Sequence, residues 1–289
     1  MTANTKEYVT AEHRKAMIRI LTEFDRVCRA LSIPYILFAG TLLGAVRHKG
    51  FIPWDDDLDV MMLRADYDRF LREAPAILDT ENFFLQAEFS PKWPMFFSKL
   101  RLNGTTCLEK YHPKTEGTHQ GVYIDIFPAD DAAKTPLGRR LQFYASKVVI
   151  AKSLKARGYE TDGFLKKAFM AAASLLPRRP FQKVVSGGYP DSDLVHCFFG
   201  GASDMKRSVF PKSMLQNRTM AMFEGREYPI PSDYDKLLTI LYGDYMTMPS
   251  EEERAVKAHA ILVDPHHSYE MYEHYRDGMK FDVYTRSIR

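Results

Sequence analysis

The chain has 289 residues, 45% hydrophobic and 27% charged, which is ordinary globular composition and enough for one large domain or two small ones. No internal repeat or low-complexity tract interrupts it, so solenoid and fibrous architectures are excluded. The net charge of +3 is unevenly spread: from Lys134 to Lys183 twelve Lys/Arg meet only Glu160 and Asp162, giving +10, and the rest of the chain sums to −7. A basic block of that kind suits an anionic partner such as a membrane or a nucleic acid.

The opening residues carry Lys6, Glu7, Glu12, Arg14 and Lys15 without the apolar centre of a secretory leader. No stretch approaches the roughly 18 apolar residues of a bilayer span. A cytoplasmic location is expected. Residues 10–31 read as a helix: Thr10 can cap it, and Met17, Leu21, Phe24, Cys28 and Leu31 recur at four- and three-residue spacing. Ser32 and Pro34 end it. Residues 35–39 form a short apolar strand, Gly40-Thr41 turns into a helix over 41–48, and residues 50–53 are a loop. A strand is expected over 56–62 and an amphipathic helix over 65–78, marked by Tyr67, Phe70, Leu71 and Leu78. Strand signals follow at 83–88, 95–101 and 121–127. Alternating strands and helices of this length argue for an α/β or α+β sheet domain.

Residues 137–176 switch to a basic helical pattern. Their most apolar part, Ala168 to Leu176, is too short to span a bilayer, and Lys166, Lys167, Arg178 and Arg179 flank it. Two readings stand: an interfacial helix on an anionic membrane, or a core helix with solvated ends. Strands are expected near Val209-Phe210 and over 220–223, a helix over 233–241, and a turn at 242–245. The terminal segment has no clear pattern, and His259, His266 and His267 in it lack metal-ligand spacing. Cys28, Cys107 and Cys197 are odd in number and far apart, so buried free thiols are expected rather than disulfides or zinc.

The chemistry concentrates in residues 35–60. Asp55, Asp56, Asp57 and Asp59 crowd five positions, directly before the apolar run that starts at Val60. Two like charges 4 Å apart repel by about 4 kcal/mol at an intermediate dielectric, so such a cluster needs a cation or full solvation. In a strand, Asp57 and Asp59 share a face and Leu58 and Val60 take the other. Carboxylate oxygens at that spacing suit one or two Mg2+ ions, with Mn2+ as the alternative. A third ligand is needed, and Asp125 is the candidate, because it sits between Ile124 and Ile126 where an unpaired charge is costly. Its alternative reading is a strand-edge carboxylate paired with a lysine. Gly40 and Thr41 open a helix whose free N–H groups form an anion site, and Arg47 and His48 add positive charge. A phosphate cradle beside a carboxylate–metal cluster points to phosphoryl or nucleotidyl transfer.

Gly40-Thr41, Asp57-Leu58-Asp59-Val60 and Ile124-Asp125-Ile126 resemble the signature of the polymerase-β-like nucleotidyltransferase superfamily. More narrowly, GTLLGAVRHKGFIPWDDDLDV, VYIDIFPAD and YPIPSDYDKLLTILYGDYMTMP resemble the LicD family, which includes bacterial phosphocholine transferases and is related to the fukutin group. The resemblance runs from about Tyr35 to His259 and is weakest across the basic segment. It implies an α+β fold: a mixed nucleotidyltransferase-type sheet flanked by helices. The chain is then one domain, with a core at about 1–133 and 205–289 and a basic helical insert at about 134–204.

The resemblance further implies a Mg2+-dependent enzyme that takes phosphocholine, or a similar phospho-alcohol, from a CDP-activated donor. The acceptor is a hydroxyl of a cell-surface glycan or lipid-linked glycan, and CMP leaves. Asp57, Asp59 and Asp125 would hold the metal, with Asp125 also a general base. Gly40, Thr41, Arg47 and His48 would hold phosphate oxygens, and Lys99 or Arg101 would add neutralisation. Contact of the insert with an anionic membrane at the inner surface is expected. Nucleic acid is not, because the basic segment lacks interleaved aromatics that stack bases. Two rivals remain: a nucleotidylyltransferase moving NMP from an NTP, and a catalytically inactive nucleotide- or glycan-binding regulator.

Overall fold

Thr10 accepts a hydrogen bond from the His13 N–H at 3.1 Å, and the helix it caps, α1 (Ala11–Ala30), buries Met17, Ile20, Leu21, Phe24, Val27 and Cys28 as its spacing predicts. The computed structural model describes residues 10–109, 117–198, 204–250 and 260–275. From α1 the chain runs into β1 (Ile36–Leu37), α2 (Ala39–Arg47), β2 (Asp59–Leu63) and α3 (Arg64–Glu73). Pro75 stops α3 early, and a single 3-10 turn over Ala74–Ala76 replaces the helix expected up to 78. Then come β3 (Phe83–Gln86), β4 (Ser98–Leu102), β5 (Thr106–Glu109) and β6 (Tyr123–Asp131).

The basic segment is three helices rather than one run: α4 (Pro136–Ala156), α5 (Phe164–Leu175) and α6 (Arg178–Val185). Gly158, at φ +76°, breaks the first from the second, and Pro177 separates the second from the third. The chain continues through β7 (Leu194–His196), β8 (Val209–Pro211), α7 (Ser213–Gln216), β9 (Arg218–Phe223), β10 (Arg226–Pro231), α8 (Tyr234–Tyr242) and β11 (Ala260–Asp264).

The architecture is α+β, a mixed sheet flanked by helices. Its strands order β1–β2–β6–β4–β3, and the far end of β6 adds β7 and then β8. Only β2 and β6 run parallel among these pairs, with Asp59 opposite Asp125 and Val60 opposite Ile126; β4 lies antiparallel on the other side of β6, with Lys99 opposite Asp125 and Arg101 opposite Tyr123. Side-chain alternation then splits the sheet. Val60, Leu100, Ile124 and Ile126 join the core cluster with α1 and with Tyr67 and Phe70 of α3. Asp59, Asp125, Lys99, Arg101 and Tyr123 share the other face.

A second apolar cluster seats α4 and α6 on the segment after β3. Ala145, Val149 and Val185 pack there with Trp93, Met95, Phe96 and Phe97. Cys28, Cys107 and Cys197 are free and buried, as expected. Among the described residues no helix is long and apolar enough to cross a membrane.

Candidate active site

The sheet places two carboxylates side by side before any side chain is considered. Register partners in a parallel pair point to the same face, so Asp59 at the start of β2 and Asp125 on β6 are neighbours. The strand begins at Asp59 rather than at 56, so Asp55, Asp56 and Asp57 lie in the connecting loop. The Asp55 N–H bonds back to the Ile52 carbonyl at 3.0 Å, which closes a turn and takes that backbone out of the ladder. Burial, then the charges of Asp57, Asp125 and Asp55, push the Asp59 carboxyl well above its ordinary range, with Lys99 pulling the other way. Burial also raises Asp125, to about 6, against the attraction of Lys99.

α2 holds the entrance of β2. Thr41 Oγ1 accepts the Asp59 N–H at 2.8 Å, so this buried hydroxyl fixes the catalytic candidate's backbone. Gly44 is needed by close approach: a Cβ there would fall 2.5 Å from the Gly50 carbonyl oxygen. Gly40 meets a side chain instead, because a Cβ would lie 2.5 Å from Asp55 Oδ2. A carboxylate of the chain itself therefore rests against the start of α2, beside the N–H groups that the sequence reading assigns to phosphate. Arg47 donates from Nη1 to the Tyr245 carbonyl at 2.6 Å, and His48 stands edge-on to Trp54 at 6.3 Å. Asp56 Oδ2 accepts the Ala260 N–H at 3.4 Å and ties the acidic loop to β11.

Lys99 is only 1% exposed, and its Nζ lies 3.1 Å from Asp125 Oδ1 and 3.2 Å from Glu109 Oε1. The lysine pairing considered for Asp125 is thus present, on a central strand rather than an edge. Lys99 bears on the site through Asp125. Burial lowers its ammonium, against the pull of Asp125 and Glu109.

Glu109 in turn gathers Arg157 at 3.1 Å and Arg101 at 3.4 Å, and accepts the Tyr123 hydroxyl at 3.3 Å. Burial alone would raise the Glu109 carboxyl; Lys99, Arg157 and Arg101 overcome that and hold it well below the usual carboxylate range. The cations also pack on rings, with Lys99 Nζ 3.0 Å from the Tyr123 centroid and Arg157 5.0 Å from that of Trp93.

Sequence reasoning missed Glu109, Arg157, Trp93 and Tyr242. α8 packs on α2, and the Tyr242 phenol at its end, though the residue is 39% exposed, is raised by burial and by the charges of Asp59, Asp55 and Asp57. Its signal was present, since it opens the YGDY turn at 242–245. Glu109 closes the short apolar run Thr106–Glu109, which was not read as a strand. Arg157 gave no signal beyond its membership of the basic block. His259 lies outside the described residues. A cleft of about 300 Å³ lined by Pro34, Met61, Asp66 and Arg218 lies toward the opposite end of β2 from Asp59, away from this chemistry.

Among the described residues no three His, Cys, Asp or Glu side chains already converge as a closed metal-binding set. The donor chemistry of Asp57, Asp59 and Asp125 still fits a hard divalent cation. All three present carboxylate oxygens, and their mutual repulsion at Asp59 is what such an ion relieves.

The family model described as LicD/FKTN/FKRP, nucleotidyltransferase domain, matches residues 32–154. That span contains Gly40, Thr41, the aspartate loop, Lys99, Glu109 and Asp125. The lipopolysaccharide cholinephosphotransferase LicD of Haemophilus influenzae is 28% identical over 282 residues, covering 92% of this chain and 99% of that protein. Residues 32–154 therefore carry a LicD-type nucleotidyltransferase domain, and the likeness to the Haemophilus protein extends over almost the whole chain.

Shorter matches join it to two uncharacterized proteins, of Rickettsia typhi (35% identical, 25% of this chain and 24% of that protein) and Rickettsia prowazekii (36% identical, 21% and 23%). Arg157 and Tyr242 lie beyond the stretch that the LicD family model matches.

Proposed function

We propose that this protein is a LicD-type transferase that moves phosphocholine, or a closely similar phospho-alcohol, from a CDP-activated donor to a hydroxyl of a cell-surface glycan such as lipopolysaccharide. The observation that carries the reading is the Asp59–Asp125 register pair of the parallel strands, with Asp57 beside it. The Haemophilus relative, aligned over nearly its whole length, supports the choice of transferred group and acceptor.

The acceptor oxygen attacks the phosphorus bearing the choline, the new P–O bond forms, the P–O bond to CMP breaks, and the proton passes to Asp125. Lys99 fixes the Asp125 carboxylate through Oδ1, and Thr41 fixes Asp59 through its N–H. In this reading Arg47 and His48, at the end of α2, would bind the diphosphate. When bound, Mg2+ or Mn2+ held by Asp57, Asp59 and Asp125 would neutralise charge on the diphosphate.

Thermal melts with CDP-choline, CDP-ethanolamine, CDP-glycerol, CDP-ribitol, CTP and ATP, each with and without Mg2+, test the donor. A Mg2+-dependent rise with a CDP-alcohol is expected. A rise with NTPs alone, with pyrophosphate as product, would replace this reading by nucleotidylyl transfer.

A further inference from the structure

Helix α5 buries only Met170 and Ala173 against α4 and its continuation, where they meet Ala151, Val148, Leu154 and Tyr159. The rest of an apolar helix stands in solvent: Phe164 is 81% exposed, Leu165 82%, Phe169 45% and Leu175 86%. A helix that is apolar nearly all round is ordinarily covered. Lone exposed hydrophobics need no explanation, but four on one twelve-residue helix mark an interaction surface.

The charges around it say what kind. Lys166 and Lys167 follow directly on Phe164 and Leu165, and Lys166 Nζ donates to the Tyr159 hydroxyl at 2.8 Å. The whole 134–183 segment has two carboxylates for twelve cations. A two-fold contact between copies through this face would bring two +10 segments together, which electrostatics opposes. Nucleic acid would answer the charge but offers nothing to exposed leucines. An anionic bilayer answers both, taking the apolar side chains below its headgroups and the lysines at their level.

We infer that α5 is a peripheral docking element that seats this protein on an anionic lipid surface, with Phe164, Leu165, Phe169 and Leu175 inserted and Lys166 and Lys167 at the headgroups. This goes beyond the transferase reading and does not depend on it. The helix is too short to span and ends at Leu175, so it lies in the interface plane.

Flotation of the full chain with phosphatidylcholine vesicles, with and without phosphatidylglycerol, tests the inference. Binding is expected only to the anionic vesicles, weakening as salt rises. F164E/L165E and K166E/K167E should each lower that binding about tenfold or more with unchanged melting temperature, since these side chains carry little of the fold. The inference is overturned by no binding to anionic vesicles, by binding that survives both double variants, or by a self-associated wild type that F164E/L165E turns monomeric. Tighter binding to RNA than to vesicles, lost in the same variants, would overturn it in favour of a nucleic-acid surface. Vesicle binding is read without turnover, so its failure and a failure of the transferase reading are separate results.

Discussion

On the sheet face, Lys99, Arg101 and Arg157 are enclosed around Glu109 and Asp125, each within 3.4 Å of a carboxylate. In α4 to α6, twelve cations of the 134–183 segment share two carboxylates, and apolar side chains stand beside them in solvent. The two regions use the same residue types for different ends. Buried charges that satisfy one another fix positions, because breaking the set leaves an uncompensated charge in low dielectric. Exposed, unbalanced charges fix little and act at longer range on something outside the molecule. Arg157, the residue that follows α4, belongs to both: it leaves the helical insert to reach Glu109.

The contrast breaks first at the aspartates. Asp59→Asn or Asp57→Ala should lower turnover by about 10³-fold or more, as removal of groups that stabilise developing charge does. The Asp59→Asn protein should melt no lower than the wild type, because it removes a carboxyl that burial and its neighbours disfavour. Rates and melts on the same preparation check both halves. Glu109→Gln should cost about 3–5 kcal/mol by urea unfolding, since the buried Lys99 and Arg101 and the half-buried Arg157 lose their shared partner.

A pH series sharpens the picture. Burial lowers His13 to about 4, and burial with Arg101 lowers His119 to about 3. The folded protein therefore keeps both neutral while the unfolded chain takes up protons near pH 6.5. The stability these histidines contribute should be complete above that pH and be lost as pH drops toward 4, with His13 accounting for roughly 3 kcal/mol; Glu109 adds loss in the same direction lower down, while the raised carboxyls of Asp59 and Asp125 act in the opposite direction. His13→Gln should flatten the upper part of that limb in melts taken across the series. The smallest effect belongs to the insert: F164E/L165E should change unfolding free energy by no more than about 0.5 kcal/mol.

How much of this was legible in the sequence depends on what kind of signal each element left. α1 was readable to within a residue at each end, because its cap and apolar spacing agree. The Asp59–Asp125 neighbourhood followed from two short apolar strands each interrupted by a carboxylate. The start of β2 was misplaced by three residues, because strand alternation runs on in the letters through Asp57 while the backbone turns at Ile52–Asp55. The basic segment read as one pattern, and only the positive φ of Gly158 and the stop at Pro177 resolve it into three helices. The Glu109 network was not legible at all. It joins residues 99, 101, 109, 123 and 157, and such a meeting is a property of topology rather than of spacing.

The central claim is that Asp57, Asp59 and Asp125 serve transfer from a CDP-activated alcohol. Its most direct test incubates the purified chain with CDP-choline, Mg2+ and lipopolysaccharide, and measures CMP release and choline incorporation beside the Asp59→Asn protein. The account predicts both products from the wild type and neither from the variant. A variant that releases CMP at the wild-type rate, or a wild type that yields pyrophosphate from an NTP and no CMP from any CDP-alcohol, would contradict it.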